Sequence, residues 1–349
     1  MIHGIGGRSR AWCLLSVLLC AASAADAQQP ALVERVDVSR VILDVRVVDD
    51  RGRAMLGLTA ADFEVSIGGR PVRVESASWT GTAPAGDAAF SSVGITGYLQ
   101  PESRGQLIIF IVQKSLEGDR ARGLLRLLQD SGRLLAQVNQ EDRIAVLSFD
   151  SHLKIWSDFT ADLDLVEKIL ADDVMFGRPP NLRAQGEPSL LAALSQQDGR
   201  ETYTIEDALA KLGTALAPFP GAKSVVLIGY GFGEFTMSLG MVGSRLDQRY
   251  EDARVALEGA RASVFCLDVT QADYHTFEHG LEVVAEDTGG FLARTHLYAR
   301  RAIERVANAM VGHYVLFTEK PTVEPGRHAI DIDLVGSKGT VLARSSYVE

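Results

Sequence analysis

Blocks of apolar residues alternate with amphipathic stretches through the middle of the chain. Four apolar runs predict strands buried on both faces: Leu107–Val112, Arg143–Phe149, Lys223–Gly229 and Ala262–Val269. The amphipathic stretches predict helices at about Arg120–Val138, Leu163–Ala171, Thr204–Ala217, Arg245–Ala260, Glu278–Thr288 and Ala299–Val311. Strands and helices that alternate in this way predict a doubly wound, mostly parallel α/β sheet with helices on both faces.

Both ends of the chain have the two-residue alternation of half-buried strands. Near the start, Glu34–Asp49 alternates, and Phe63–Ile67 and Pro71–Ser78 are joined at Gly68-Gly69, a good hairpin signal. Near the end, Arg327–Val335 and Gly339–Val348 form a second candidate hairpin. Neither end has enough strands for a stable sheet alone. We therefore predict that the two ends form one antiparallel β-sandwich, with the α/β domain inserted between them.

The first 27 residues have the layout of a secretory signal peptide. Arg8 and Arg10 precede the apolar run Ala11–Ala22, and Ala25-Asp26-Ala27 is a cleavage signal before Gln28. The run is shorter than the roughly 20 residues that a membrane-spanning helix needs. An uncleaved anchor is the alternative. The predicted organisation is a leader (1–27), an N-terminal β segment (28–79), a linker (80–104), the α/β domain (105–312) and a C-terminal β segment (313–349).

Charge and cysteine content narrow the classes of function. The chain has 35 basic and 45 acidic side chains, a net charge of −10, which disfavours general nucleic-acid binding. Cys13 and Cys20 lie in the predicted leader, so Cys266 is the single cysteine of the exported chain. It lies in an apolar run, which indicates a buried small hydrophobe without a disulfide partner.

The loop after the first α/β strand is the expected binding position. In open α/β sheets, ligands bind at the carboxyl ends of the strands where the strand order reverses. That loop is Gln113–Glu117. Its side chains are a poor set of ligands.

Short motifs follow one another along the chain in an order that resembles a known family. They are Asp50–Gly52, Gly57-Leu58, Asp62–Val65, Gly68-Gly69, Asp142–Phe149, Asp158–Thr160, Gly221–Ile228, Ala285–Gly290 and His313–Thr318. In order and spacing they resemble the bacterial secreted proteins that carry a von Willebrand factor A (VWA)-related domain. The resemblance covers nearly all of residues 31–349 and implies a VWA-like α/β domain.

The resemblance also implies where a metal ion would bind. VWA domains hold a divalent cation through D-x-S-x-S after the first strand, a Thr in a later loop and an Asp after the fourth strand, and Mg²⁺ prefers such oxygen ligands. Here Gln113 and Glu117 replace the Asp and the second Ser, Lys114 adds a positive charge, and Ser115 is retained. The remaining matched positions are Thr202 or Thr204 and Tyr230, with Glu234 the nearest acid.

We therefore predict a degenerate metal-ion-dependent adhesion site that holds no metal and needs no cofactor. The alternative is a divalent-cation-dependent adhesion protein that retains Mg²⁺ through Ser115, Glu117 and Glu234.

Three further patterns bear on catalysis. His275-Thr-Phe-Glu278-His279 matches the H-x-x-E-H pattern of zinc peptidases, with Glu282 as a guessed third ligand. The favoured reading of that segment is an exposed loop or helix start. Ser148 and Asp150 have only His152 nearby, and Gly229–Gly233 lacks the rest of a phosphate-binding motif. The sequence thus predicts no enzyme, with a zinc-dependent hydrolase as the remote alternative.

The functional prediction is an exported, periplasmic or secreted protein that binds another protein without catalysis. The expected contact surface comprises the loops Gln113–Glu117, Met175–Arg200 and Tyr230–Gly240. The segment 175–200 is predicted to be a long irregular excursion. The identity of the partner and the oligomeric state stay open.

Overall fold

A computed structural model describes residues 40–81, 105–184, 186–238, 241–272, 274–336 and 338–349. The predicted leader and nearly all of the predicted linker lie outside these residues. The strands are β1 (Arg40–Val48), β2 (Phe63–Ile67), β3 (Arg70–Val72), β4 (Val74–Gly81), β5 (Leu107–Gln113), β6 (Arg143–Phe149), β7 (Leu153–Thr160), β8 (Lys223–Gly229), β9 (Glu234–Ser238), β10 (Met241–Arg245), β11 (Ala262–Asp268), β12 (Leu292–Arg294), β13 (Gly312–Glu319), β14 (Arg327–Leu334), β15 (Thr340–Leu342) and β16 (Ser346–Val348).

The helices follow the strands of the middle region. They are α1 (Gly118–Leu128), α2 (Ser131–Leu135), α3 (Leu163–Lys168), α4 (Val174–Phe176), α5 (Leu190–Ala193), α6 (Gln196–Arg200), α7 (Ile205–Leu216), α8 (Gln248–Gly259), α9 (Glu278–Thr288) and α10 (Ala299–Ala309). A 3₁₀ turn covers Ala60–Asp62, and a π turn at Ile169–Asp173 joins α3 to α4. Among the described residues, no helix has both the length and the apolar character needed to cross a bilayer.

The middle of the chain forms a six-stranded sheet in the order β12-β11-β8-β5-β6-β7. All neighbours are parallel except the edge pair β6 and β7. Alternate residues of β5 enter separate cores, Phe110 with Leu127 and Ile303 on one face and Ile111 with Leu212 and Leu257 on the other. Burial on both faces explains the unbroken apolar run of this strand. The predicted doubly wound sheet is confirmed.

Strands from the two ends of the chain form two antiparallel sheets, β15-β1-β13-β4 and β16-β14-β2-β3. In the first, Val45 pairs with Tyr314; in the second, Val65 pairs with Ile332. Leu43 of the first sheet and Ile67 of the second belong to one buried core. The ends of the chain therefore form the predicted antiparallel β-sandwich around the inserted α/β sheet.

The side chain of Arg46 joins the sandwich to the α/β sheet. Arg46 lies on β1 and is 1% exposed. Its Nε donates to the Ala309 carbonyl (3.1 Å), Nη1 to Ser263 Oγ (2.8 Å) and Nη2 to Ser224 Oγ (3.1 Å). The guanidinium also lies 5.1 Å from the centre of the Phe265 ring. One buried cation thus connects β1 with β8, β11 and the end of α10.

Several predicted boundaries were wrong. The helix predicted at Arg120–Val138 is two helices, because the chain turns at Gln129-Asp130 between α1 and α2. The helix predicted at Leu163–Ala171 runs on through a π turn into α4. The predicted hairpin partner Pro71–Ser78 is divided, since β3 pairs with β2 whereas β4 pairs with β13.

The sequence also missed elements that lie outside the main apolar runs. Strand β7 was not predicted, and β9 and β10 form a hairpin where the segment Tyr230–Gly240 was predicted to be a loop. The excursion 175–200 contains the short helices α5 and α6. In α6, Ser195 caps the helix by accepting a hydrogen bond from the Asp198 amide.

Candidate functional site

The carboxyl ends of the parallel strands meet at one edge of the six-stranded sheet. Gln113 at the end of β5 pairs in register with Phe149 of β6, and Asp268 at the end of β11 pairs with Gly229 of β8. The predicted loop Gln113–Glu117 therefore leaves the sheet at the edge where a doubly wound fold binds its ligands.

Gln113, at the position where the resemblance implies a metal-binding aspartate, makes three hydrogen bonds to the loop after β8. Its Nε2 donates to the Gly231 carbonyl (2.9 Å), and its Oε1 accepts from the amides of Tyr230 and Gly231 (3.1 Å each). The side chain is 3% exposed. Gly229 packs tightly against this side chain, because a Cβ there would stand 2.4 Å from Gln113 Oε1 and 2.7 Å from Gln113 Cβ. The amide thus holds the loop that follows β8 instead of presenting a free oxygen.

Two lysines surround one carboxylate beside Gln113. Lys154 Nζ lies 2.5 Å from Asp150 Oδ2, and Lys114 Nζ lies 3.8 Å from the same oxygen. Burial opposes ionisation, but hydrogen bonds from Lys154 and Ser151 outweigh it and lower the pKa of Asp150 to about 2. Burial lowers the pKa of Lys114, against the attraction of Asp150. Two ammonium groups against one carboxylate give this corner a positive charge, which disfavours a metal cation.

Ser115, Glu117 and Tyr230 form a second small cluster. Ser115 Oγ accepts a hydrogen bond from the Glu117 amide (3.1 Å), and Glu117 Oε2 pairs with Arg120 Nη1 (2.9 Å). The Arg120 guanidinium stacks over Tyr230 at 4.3 Å and lies 5.9 Å from the Phe277 ring centre. Burial raises the pKa of the Tyr230 hydroxyl. The one serine retained from the metal motif therefore shapes its own loop.

The two candidate threonines have structural partners. Thr202 is fully buried; its Oγ1 accepts from the Leu153 amide (2.8 Å) and donates to the Gly199 carbonyl (2.7 Å). Thr204 caps α7, because its Oγ1 accepts from the Asp207 amide (3.1 Å). The Thr202 hydroxyl thus links the start of β7 at Leu153 to α6 at Gly199.

Glu234, the candidate acid after β8, is exposed and lies 3.6 Å from Arg245 Nη2. Within the described residues, Glu117 and Glu234 belong to no cluster of three or more metal-ligating side chains of His, Cys, Asp or Glu. Each acid of the alternative cation set is thus paired with an arginine, Glu117 with Arg120 and Glu234 with Arg245.

A different group of ligand-type side chains comes together at the same edge. Asp268, His275 and Glu278 each place one ligand atom within 4.8 Å of the other two. His275 Nε2 lies 3.0 Å from Asp268 Oδ2, and the Thr270 amide donates to Asp268 Oδ1 (2.8 Å). Glu278 Oε1 forms an ion pair with Arg294 Nε. The Asp268 and Glu278 side chains are 1% exposed.

This group corrects the H-x-x-E-H prediction. Helix α9 begins at Glu278, so His275 precedes the helix and does not share a helical face with His279. Neither His279 nor the guessed ligand Glu282, which is exposed, belongs to the group. The sequence reading missed Asp268. The sequence feature that could have indicated Asp268 is an acidic residue at the carboxyl end of a buried strand. The metal motif places its aspartate after the preceding apolar strand, Lys223–Gly229, and not after this one.

The loop that Gln113 holds packs directly against the segment bearing this group. The Phe232 amide donates to the Phe277 carbonyl (3.1 Å). Gly231 has a φ of +96°, and a Cβ there would stand 2.0 Å from the Phe277 oxygen; a Cβ at Gly280 would stand 2.5 Å from the Phe232 oxygen. Backbone approaches this close require glycine on both sides. The Gln113 position and the Asp268 group are neighbouring parts of one edge.

The sheet and its edge define a doubly wound, mostly parallel α/β protein in which the Gln113 amide binds the loop after β8. No protein-family profile and no curated protein matches the chain.

Solved structures match it in fold. A von Willebrand factor type A protein from Catenulispora acidiphila is 12% identical, with a TM-score of 0.40 over 70% of this chain and 65% of that chain. Proximal thread matrix protein 1 from the mussel byssus is 12% identical, with a TM-score of 0.39 over 60% of this chain and 49% of that one. The conserved hypothetical protein BatB from Bacteroides thetaiotaomicron is 13% identical, with a TM-score of 0.36 over 59% of this chain and 99% of that chain. The chain thus spans less than two thirds of the first two.

Replacing Gln113 by alanine should lower the free energy of unfolding by about 1–3 kcal/mol, because buried backbone groups of Tyr230 and Gly231 lose their partner. Equilibrium urea unfolding at pH 7 measures the loss, and hydrogen exchange should accelerate at the Gly231 amide. Ser115→Ala is the matched control, since that hydroxyl accepts one exposed hydrogen bond. Equal effects of the two substitutions would contradict the role given to Gln113.

Proposed function

We propose that this protein is an exported, non-enzymatic binding or scaffold protein, which recognises another protein through the carboxyl edge of its VWA-like sheet. The observation that carries the proposal is the Gln113 amide, which makes three hydrogen bonds at the position where the resemblance implies a metal-binding aspartate. Recognition at this edge then rests on the side chains of the loops.

Those loops expose large apolar side chains. Leu116 follows β5 and is fully exposed, Tyr274 follows β11, and Leu297 and Tyr298 follow β12. Tyr203 is also exposed, and it follows Thr202, which is hydrogen-bonded to the start of β7 at the same edge. Tyrosine is enriched at protein interfaces, and large exposed apolar patches mark sites of protein interaction. We name these five residues the edge surface.

We propose that the protein is not an enzyme, because its two candidate nucleophiles, Ser148 and Cys266, are buried. Ser148 is buried, and its Oγ accepts a hydrogen bond from Trp156 Nε1 (2.8 Å). Cys266 is fully buried, and burial raises the pKa of its thiol far above the physiological range. Export is proposed from the predicted leader.

Acidic substitutions in the edge surface should abolish partner binding. The mature chain (28–349) serves as bait in extracts of the source organism's periplasmic and secreted fractions, and bound proteins are quantified by mass spectrometry. Leu116→Asp combined with Tyr203→Asp should reduce recovery of the specific partner by about tenfold or more, since central interface anchors each contribute over ~1 kcal/mol.

Val335→Asp is the matched control, because Val335 is an exposed apolar residue of the β-sandwich, after β14. Its recovery should equal that of the unmodified chain. Recovery that stays unchanged in the double variant would remove the edge surface from the proposal.

The cation-dependent alternative makes the opposite prediction in the same assay. Glu117→Gln and Glu234→Gln keep the shapes of the side chains and remove the charges that a bound Mg²⁺ would need. Loss of the partner in both amide variants, with retention in the edge-surface variant, would favour cation-dependent adhesion.

A further inference from the structure

We propose that Asp268, His275 and Glu278 form a binding site for one divalent transition-metal ion, separate from the VWA metal position. The three ligand atoms lie within 4.8 Å of one another. Side-chain adjustments of about 1 Å would bring them to the spacing that three ligands around one Zn²⁺ require, with metal–ligand distances of ~2.0–2.2 Å. The inference does not depend on the partner-binding proposal.

Unpaired polar atoms point to a missing ligand. Both oxygens of Glu278 and Nδ1 of His275 are buried without a hydrogen-bond partner among the described residues. Glu278 Oε1 has no hydrogen bond but forms an ion pair with Arg294 Nε, so Oε2 is the oxygen with neither kind of partner among the described residues. Buried polar groups in folded proteins are nearly always hydrogen-bonded, and buried charges are paired or bind a metal. A metal ion held by this group would give the buried Glu278 carboxylate a partner.

The charges of the group also favour a divalent cation. Asp268 and Glu278 are two buried carboxylates in one small cluster, and like charges at such separations repel strongly in a low-dielectric interior. The partially exposed guanidinium of Arg294 is the one cation paired with either of them in the described structure. A neutral imidazole with two carboxylates and one M²⁺ ion has no net charge.

The donor set indicates which class of metal would bind. Imidazole nitrogen suits Zn²⁺, Fe²⁺, Ni²⁺ and Cu²⁺, whereas an all-oxygen site suits Mg²⁺ or Ca²⁺. One histidine and two carboxylates therefore favour a transition-metal ion over Mg²⁺. Three protein ligands leave a coordination position for water or for a group from a partner.

Backbone amides form hydrogen bonds to Asp268, one of the three proposed ligands. The Thr270 amide holds Asp268 Oδ1, and the backbone carbonyl of Asp268 accepts from the Thr295 amide (3.0 Å), which fixes the end of β11. Such hydrogen bonds to ligating residues orient the ligands. The His275 side chain is 13% exposed, which opens the group to solvent on that side.

Metal titration of the purified mature chain tests the site. The protein is stripped with a chelator, dialysed and titrated with Zn²⁺ alone by calorimetry, and the melting temperature is recorded with and without Zn²⁺. One Zn²⁺ should bind per chain and raise the melting temperature by several degrees. Asp268→Asn and Glu278→Gln should each weaken Zn²⁺ binding by about 100-fold or more, since loss even of supporting residues costs ~10–100-fold.

His279→Ala is the matched control, because His279 is the second histidine of the sequence pattern and lies outside the group. Its Zn²⁺ affinity should equal that of the unmodified chain. Loss of binding in His279→Ala with retention in Asp268→Asn would overturn the site, as would an unmodified chain that takes up none of Zn²⁺, Mn²⁺ and Co²⁺. The measurement on the unmodified chain does not depend on whether any variant folds.

Discussion

Arg46→Ala is expected to lower the free energy of unfolding by about 3–5 kcal/mol, the cost of removing one partner from a buried polar network. Arg46 donates to Ser224, Ser263 and the Ala309 carbonyl. Alanine leaves these groups without that donor and opens a cavity over Phe265. Burial lowers the pKa of Arg46 to about 10, with Asp44 opposing the shift, so the side chain is charged at pH 7.

Equilibrium urea unfolding at pH 7 measures this effect. Arg40→Ala is the matched control on the same strand, since Arg40 is half exposed and paired with the Glu75 carboxylate. Exposed pairs of this kind contribute ~0–1 kcal/mol. Arg46→Met should retain part of the stability, because it fills most of the volume. A loss in Arg46→Ala no larger than that in Arg40→Ala would show that Arg46 does not join the two parts of the fold.

The α/β sheet was predictable because its strands are buried on both faces. Such strands read as continuous apolar runs, and the bounds of Arg143–Phe149 and Lys223–Gly229 match β6 and β8. The β7 strand was missed since it is an edge strand with polar residues at Lys154 and Ser157. Its pairing with β6 also contains a register shift. Local composition does not reveal an irregular edge pairing of this kind.

The sequence predicted only those parts of the candidate site that depend on residues close together in the chain. The loop Gln113–Glu117 could be placed because it directly follows a central strand. The roles of Gln113 and Arg46 could not, because their partners lie more than 100 positions away in the sequence. Asp268 and Glu278 are only ten positions apart, but neither apolar periodicity nor motif spacing indicates that their side chains meet. Spacing rules that assume one helix paired His275 with the wrong histidine.

A buried histidine lies in the same junction as Arg46. His313 on β13 is 2% exposed, and neither ring nitrogen makes a hydrogen bond within the described structure. Asp44 Oδ1 lies 3.5 Å from its Nε2, but that carboxylate already accepts from Arg261 Nε (2.8 Å) and Nη2 (2.7 Å). Burial lowers the pKa of His313 to about 4, reinforced by Arg46 and Arg261 and opposed by Asp44.

The fold should therefore lose stability on mild acidification, and His313→Leu should remove that part of the loss. In the unfolded chain the histidine takes up its proton near pH 6.5, whereas in the folded chain it stays neutral until about pH 4. Because the unfolded state binds more protons between these values, the contribution of His313 is fully present above pH 6.5 and declines by about 2 kcal/mol at pH 5 and about 3 kcal/mol at pH 4. Urea unfolding from pH 7 to pH 4 measures the difference between the two proteins.

His328→Gln is the matched control, because His328 contacts the Glu324 carbonyl at the surface. This variant should keep the full acid sensitivity. A His313→Leu variant that loses stability as steeply as the unmodified chain would place the acid sensitivity in the carboxylates instead.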